Sequence, residues 1–344
     1  MDSSSLMTKS RQMADYGKGT MKRAVATGVA PDEPASVIQV RTVDEPAARD
    51  GWVSLQVRAV SLNQHDLWTI KGVGVQPGDF PLGIGSDVAG VTSEGREVIV
   101  HSLVTDPDIA MNSGSELLAP GRLMLAEASG GGAAERVLVP ARNLVDKPLS
   151  LSFEEAAALP TAWLTAYHML FRKARLTPGS TVLVQGAGGG VATAAIALAS
   201  HSGIRVWVAG RDAARLEAAR GLGADRVFMT GEKLPQRVDA VIETVGAATW
   251  DHSLRSVRPG GVIVVAGATT GGIVSFDLNR VFLQHVSILG SSLGKVGDLR
   301  ALARWFDTTG VKPMIDSVFP LDEAAAAVAR LASGQAVGKV VIVP

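Results

Sequence analysis

Residues 181–192 read Thr181-Val182-Leu183-Val184-Gln185-Gly186-Ala187-Gly188-Gly189-Gly190-Val191-Ala192. A short apolar run rich in β-branched residues meets a cluster of glycines, and an Ala-rich segment follows that Gly203 would stop. The order predicts a strand, a tight turn and a helix. Glycines at such a turn let backbone N–H groups approach a diphosphate, and the positive end of the following helix dipole favours the same anion. Gly186, Gly189 and Ala192 take the three spaced positions, the last small enough for helix to pack on strand. A plain glycine connection without a ligand is the alternative, and the units that follow weigh against it.

Those units are read outward from this stretch. Arg205–Ala209 (RVWVA) predicts a second strand, DAARLEAARGLG a second helix, and Asp239–Ile242 and Gly261–Ala266 (GVIVVA) two further strands. Strands alternating with helical segments predict a parallel sheet. Upstream, between Met21 and Pro148, short β-type runs such as SVIQVRTV, WVSLQVRAVSL and ERVLVP predict a β-rich domain. Near the end, LDEAAAAVARLASG predicts a helix and GKVVIVP a terminal strand returning to the first domain. The expected divisions are a tag or disordered leader over residues 1–20, a β-rich domain over 21–148, a dinucleotide-binding domain over 149–287 and a return segment over 288–344.

Composition narrows the function. The 344 residues exceed what one hydrophobic core serves. Lys plus Arg (33) equals Asp plus Glu (33), which supplies no broad basic face for nucleic acid or anionic lipid. Although 47% of residues are hydrophobic, no run approaches the roughly 18 to 20 apolar residues that cross a bilayer, so no membrane partner is expected. The first twenty residues lack an apolar signal core, which fits a cytoplasmic location. Cys is absent, removing disulfides, thiolate nucleophiles and cysteine-ligated zinc together.

Cofactor choice is read at the end of the second strand, roughly 20 residues past the glycines, where NAD binders carry an acid for the ribose 2′-hydroxyl. Here the chain reads Val208-Ala209-Gly210-Arg211, with Arg215 one helical turn on. A 2′-phosphate would meet two guanidiniums, so NADPH is expected. Asp212 read as the ribose acid is the alternative.

Longer landmarks surround this core: Asn63-Gln64-His65-Asp66, with Gly72 after them; Gly85-Ser86-Asp87-Val88-Ala89-Gly90; LPTAWLTAY over Leu159–Tyr167; Val241–Gly246; and Ile288–Ser292. With the glycine turn, in this order, they resemble the medium-chain dehydrogenase/reductase superfamily, specifically its zinc-free quinone oxidoreductase-like branch, which is grouped with zinc-binding alcohol dehydrogenases. The likeness runs from Met21 to the end. It implies an α/β chain made of a GroES-like β-rich catalytic domain and a Rossmann doubly wound parallel-sheet domain, with the nicotinamide in the cleft between them and a homodimer formed through Rossmann edge strands. Zinc-bearing relatives hold the catalytic metal by Cys, His and Cys where this chain has Asn63, Ser86 and Thr161, and their four-cysteine lobe corresponds to residues 106–132, which hold none. No metal is therefore expected. The six His residues are too widely separated to form a recognisable ligand set. The stretch VTSEGRE between Gly90 and Val98 is shorter than the family's, which weakens transfer of a substrate by analogy.

The implied function is an NADPH-dependent reductase of a quinone or α,β-unsaturated carbonyl. A zinc-free alcohol dehydrogenase or aldehyde reductase is the enzymatic alternative, and a non-catalytic NADPH-binding protein the alternative of another class. Asn63 is the first catalytic candidate, as an amide donor to the substrate oxygen, with a turn-stabilising Asn as the plain alternative. His65 falls where some relatives place a proton relay. Trp68 falls where they place an aromatic able to stack on a flat substrate. Cofactor contacts are expected from Thr165, from Gly186, Ala187, Gly188, Gly189, Gly190 and Val191, and from Gly210, Arg211 and Arg215. Further along the chain they are expected from Thr244, Val245, Gly246, Ala266, Gly267, Leu289, Gly290 and Ser291. Lys339 is included as a positive charge near the cofactor, a solvated Lys being the alternative.

Overall fold

A computed structural model describes residues 16–344, which form two compact units. The first takes in the described residues up to Thr161 together with Lys295–Pro344; the second is Ala162–Gly294.

The first unit is β-rich. Its seven-stranded sheet runs, in spatial order, Leu144–Asp146, Glu97–Val100, Asp87–Thr92, Trp52–Ser61, Lys339–Val343 and Ile315–Pro320, with Arg136–Pro140 also paired to Trp52–Ser61. Alternation in Trp52–Ser61 buries Leu55 and Val57, and a shift of register between Val57 and Ala59 brings Val60 into the same core, shared with Val88, Val98, Val137, Val340 and Ile342. Leu321, Ala324 and Val328 of the segment ending in helix Ala324–Ala332 close that core. Burial of each such side chain contributes on the order of 1.5–3 kcal/mol. A three-stranded sheet, Ile38–Pro46, Tyr16–Ala26 and Leu82–Gly83, and a two-stranded one, Leu103–Val104 with Leu123–Met124, belong to the same unit.

Three expected boundaries need correction here, the first being that the second unit begins at Ala162 and not at residue 149. The leader expected over residues 1–20 is shorter: Tyr16–Ala26 is one strand, with Thr20 paired to Asp44, so the backbone of the last leader residues is held in the antiparallel ladder. The rest of that segment lies outside the described residues. The return to the first unit also comes later than residue 288, because Ser287–Gly290 pairs in parallel with Val257–Val265 and belongs to the second unit's sheet.

The second unit is a six-stranded parallel sheet in the spatial order Arg226–Met229, Arg205–Gly210, Thr181–Gln185, Val238–Glu243, Val257–Val265, Ser287–Gly290. In chain order this is 3-2-1-4-5-6, the doubly wound arrangement, whose order reverses between Thr181–Gln185 and Val238–Glu243. Ligands of such sheets bind outside the strand C-termini at that reversal. Helix Gly190–Ser200 is buried from Ala192 through Ala199, which explains its Ala content: only small side chains let its backbone approach this closely on all sides. Leu183, Trp207, Val241, Leu254 and Ile263 form the core beneath, with the Trp207 and Phe228 rings 5.6 Å apart.

Candidate active site

The expected residues fall into two groups, one in each unit. In the second unit, the glycine turn joins Thr181–Gln185 to Gly190–Ser200, with Gly189 as the N-cap. Gly186 has φ +90°, a left-handed conformation that disfavours any side chain. The first N–H groups of the helix have no intrahelical partner, and no acidic residue stands in its first turn to oppose an anion. A Cβ on Gly188 would lie 3.0 Å from Cδ of Arg215, so absence of a side chain there lets the Arg215 stem cross the turn. Nothing lies within 4 Å of where a Cβ on Gly189 would be. Gly210 is a packing glycine: its Cβ would meet Leu216 at 3.1 Å and Ala187 at 3.3 Å. Arg211 is exposed just past the strand end. Asp212 is the N-cap of helix Ala213–Gly221, its carboxylate accepting from the Arg215 N–H at 3.0 Å, which accounts for it without a ribose.

The adjoining strand end is held by a residue not among the candidates. Glu243 is fully buried, and its carboxylate accepts from Val245 N (2.8 Å), Gly246 N (3.0 Å), Thr249 Oγ1 (2.9 Å) and Ser253 Oγ (2.6 Å). Gln185, just before the glycines, donates from Nε2 to Ser253 Oγ and approaches His252 Nδ1, both at 3.0 Å. Because His252 Nε2 faces the Glu232 carbonyl at 2.9 Å, it carries the proton and Nδ1 accepts. Burial pushes the His252 imidazolium below its ordinary value, in keeping with a neutral ring. This network fixes Thr244, Val245 and Gly246; Gly246 has φ +93°, and a Cβ there would strike the Gly271 carbonyl oxygen at 2.5 Å. Ala266 N donates to the Glu243 carbonyl at 3.0 Å, and a Cβ on Gly267 would lie 2.9 Å from the Thr244 carbonyl oxygen, so these two join the same cluster. Leu289 and Gly290 lie on the edge strand, and Ser291 N donates to Val265 O while its buried hydroxyl has no partner. Thr165 is buried in Leu164–Tyr167, between π-helical turns Leu159–Trp163 and His168–Lys173.

In the first unit, Asn63 caps helix Gln64–Ile70, a helix that the β-type patterning did not announce. Asp66, at the third helical position, accepts from Asn63 N and Gly85 N, both at 2.8 Å. Burial pushes the Asp66 carboxyl above its ordinary range, against the pull of these two N–H groups. His65 Nε2 lies 3.4 Å from Glu127 Oε1 beside a hollow that Thr69 and Gly83 also line. Trp68 is 38% exposed, so it is not wholly buried in the core.

Lys339 is not the solvated side chain that was the alternative for it: it is 4% exposed, donating from Nζ to Leu62 O (2.7 Å) and Asn63 Oδ1 (2.5 Å), 3.6 Å from Asp87 Oδ2. Burial lowers the affinity of its amine for a proton while Asp87 pulls the other way. Asp87, fully buried, accepts from Asn63 Nδ2 (2.9 Å), Ser102 Oγ (2.8 Å) and Thr161 Oγ1 (2.5 Å), with Ser61 Oγ at 3.2 Å. Ser86 Oγ accepts from Ala126 N at 3.3 Å. Sequence reasoning missed Asp87; a charge at the head of the buried strand Asp87–Thr92, directly before Val88 and Ala89, is the signal that could have found it.

Comparison with known proteins agrees with this architecture. Residues 49–149 match the alcohol dehydrogenase GroES-like domain and residues 190–308 the zinc-binding dehydrogenase family. A zinc-type alcohol dehydrogenase-like protein of Schizosaccharomyces pombe is 31% identical, covering 85% of this chain and 90% of its own. The acryloyl-coenzyme A reductase of Metallosphaera sedula is 29% identical over 88% and 96%. Among solved structures, an NAD-dependent alcohol dehydrogenase superimposes with TM-score 0.87 at 30% identity, covering 94% of this chain and all of its own. A 2-octenoyl-CoA carboxylase reductase in complex with NADP and 2-octenoyl-CoA gives TM-score 0.86 at 26% identity, over 94% and 87%. The chain belongs to the medium-chain dehydrogenase/reductase superfamily and is an oxidoreductase of that class.

The family description implies zinc, and the residues present do not fit it. The amide of Asn63 and the hydroxyls of Ser86 and Thr161 are not ordinary zinc ligands; of the two carboxylates beside them, Asp87 already faces an ammonium and Asp66 accepts from the Asn63 and Gly85 N–H groups. Among the described residues no group of three or more His, Cys, Asp or Glu side chains is placed to hold a metal ion.

Proposed function

We propose that this protein is an NADPH-dependent reductase of an α,β-unsaturated carbonyl, a quinone being the alternative acceptor, working by hydride transfer without zinc. The observation that carries the cofactor is the turn at Gly186–Val191, crossed by Arg215, with Arg211 beside it and Asp212 consumed as a cap. A 2′-phosphate would find two guanidiniums, with the Asp212 carboxylate turned to the Arg215 N–H. NADP in the related carboxylase reductase structure supports this choice.

The acceptor follows from the chemistry available. Hydride delivery to the β-carbon of an enone develops charge on the carbonyl oxygen and needs a positioned donor more than a metal. Asn63 supplies an N–H, and His65 beside Glu127 a group able to move a proton. The names of the acryloyl- and octenoyl-CoA reductases support an activated C=C bond as target. The test is product analysis with NADPH and a panel of enones, quinones and aldehydes: saturated ketones are expected, alcohols from aldehydes alone would favour aldehyde reduction, and binding without turnover a non-catalytic role.

The active form is a cytoplasmic homodimer. Ser287–Gly290 is an edge strand, and helix Leu278–Leu283 beside it buries none of its residues, leaving Phe282 59% and Leu283 69% exposed. A second copy related by a two-fold axis would pair that edge and cover the apolar side chains. Among the described residues no helix is long and apolar enough to cross a membrane.

A further inference from the structure

The cluster around Asp87 has the reverse polarity of a metal site. A zinc centre gathers anionic and lone-pair ligands around a cation, whereas here a carboxylate gathers hydrogen-bond donors, and an ammonium from a distant part of the chain balances it. We propose that the Lys339–Asp87 pair replaces a metal ion as the cross-link of this part of the first unit and holds the Asn63 amide in one orientation, with N–H as the group it offers outward.

The cross-link is visible in chain separation. Asp87 reaches Thr161, 74 positions away, and Lys339 reaches Asn63, 276 positions away. Ser102 brings in a fifth segment, and Ser61, two residues before Asn63, approaches Asp87 while also lying 2.9 Å from the Ala157 carbonyl. Where zinc-bearing relatives would join the segments of Asn63, Ser86 and Thr161 through a metal, here a carboxylate joins its neighbours through three hydroxyls and an amide.

The orientation of Asn63 follows from the partners. An ammonium only donates, so it must face the amide oxygen; an ionised carboxylate only accepts, so it must face the amide nitrogen. With its oxygen on a cation and one N–H on an anion, Asn63 retains one N–H for a ligand. That is the polarity needed toward an enolate oxygen. The buried ammonium also repels a divalent ion from the position, so the chain resists zinc as well as lacking its ligands. Lys339 and Asp87 are on this account positioning residues, acting through Asn63.

The test uses full-length Lys339→Met, Lys339→Arg, Asn63→Ala, Asn63→Ala/Lys339→Met and the charge-free double variant Lys339→Met/Asp87→Asn, which leaves no unpaired buried charge if Lys339→Met alone folds poorly. Thermal melting, zinc content after incubation with zinc and dialysis, NADPH affinity, and kcat and KM for but-3-en-2-one are measured. The inference expects Asn63→Ala and Lys339→Met to be non-additive in melting. It also expects less than stoichiometric zinc in the wild type. In the double variant, kcat falls about tenfold with NADPH affinity within about twofold, and Lys339→Arg retains more kcat than Lys339→Met. Additive melting effects, one zinc per chain whose removal abolishes activity, or an unchanged kcat in the double variant would overturn it. The kcat outcome rests on the proposed reduction of an enone; the melting and zinc outcomes do not. If the wild type reduces no enone while those two come out as expected, the substrate assignment falls and the cross-link is supported.

Discussion

The side chain of Arg215 lies across Gly188, its Cδ 3.0 Å and its Nε 3.4 Å from where a Cβ would stand. The glycine therefore admits the arginine, and on the proposed reading this brings Arg215 to the turn that would hold the cofactor's diphosphate. Arg211→Asp puts a carboxylate where a 2′-phosphate is expected and leaves the NADH contacts in place. Its effect on NADPH should be a loss of roughly 1.5–3 kcal/mol, about 10- to 150-fold in Kd, with a much smaller loss for NADH. Fluorescence titration with both cofactors checks this, and equal weakening of the two would remove the phosphate contact.

Glu243 is the residue that shapes the neighbouring strand end. Glu243→Gln turns one acceptor into a donor among four donors, leaving a buried clash at a cost of roughly 1–3 kcal/mol. In a unit of this size that lowers the melting point by roughly 2–10 °C. Since Val245 and Gly246 lose their anchor, KM for NADPH should rise while KM for the carbonyl substrate holds. A variant with wild-type melting and NADPH KM would show that this carboxylate positions nothing.

Acid stability has a local origin in the first unit. Arg330 holds the Asp316 carboxyl down at about 2 from its ordinary 3.8, its guanidinium donating to both carboxylate oxygens at 2.8 Å, with the Val337 N–H and Ser317 adding to the effect. The folded value lies below the unfolded one, so the stabilisation is complete above pH 3.8 and disappears as pH falls through about 2. Asp316→Asn should melt lower at neutral pH, and its difference from wild type should shrink between those limits. A difference constant down to pH 2 would contradict the assignment.

The exposed face at Phe282 predicts the assembly state. Phe282→Glu places a charge in the proposed dimer contact without touching the buried core of the unit. Light scattering should give twice the chain mass for the wild type and one chain mass for the variant, with a folded circular dichroism spectrum retained. A monomeric wild type would show the face has another role.

The glycine turn and the parallel sheet were legible because both are local: a strand period, a helix period and glycines between them lie within a few residues. The family landmarks extended that reading over both units. What the sequence hid was pairing at a distance. Lys339 precedes the apolar run VVIV and looked like a solvated strand end, because its partners Asp87 and Asn63 lie in the other arm of the first unit. Glu243 looked like an ordinary strand residue until Thr249 and Ser253 of the next helix turned toward it. Asp212 carried two meanings, ribose acid or helix cap, and the sequence could not show its Oδ1 accepting from the Arg215 N–H. Ser287–Gly290 is short and exposed, so its place in the parallel sheet came from backbone pairing with Val257–Val265, not from hydrophobic pattern.

Transfer of isotope tests the central claim most directly. With NADPH carrying deuterium at the reactive position of the nicotinamide and an enone as acceptor, the label should appear in the saturated ketone, at the carbon β to the carbonyl, in an experiment with no added metal. Label at the carbonyl carbon of an alcohol, or none in any product while NADPH is consumed, would contradict it.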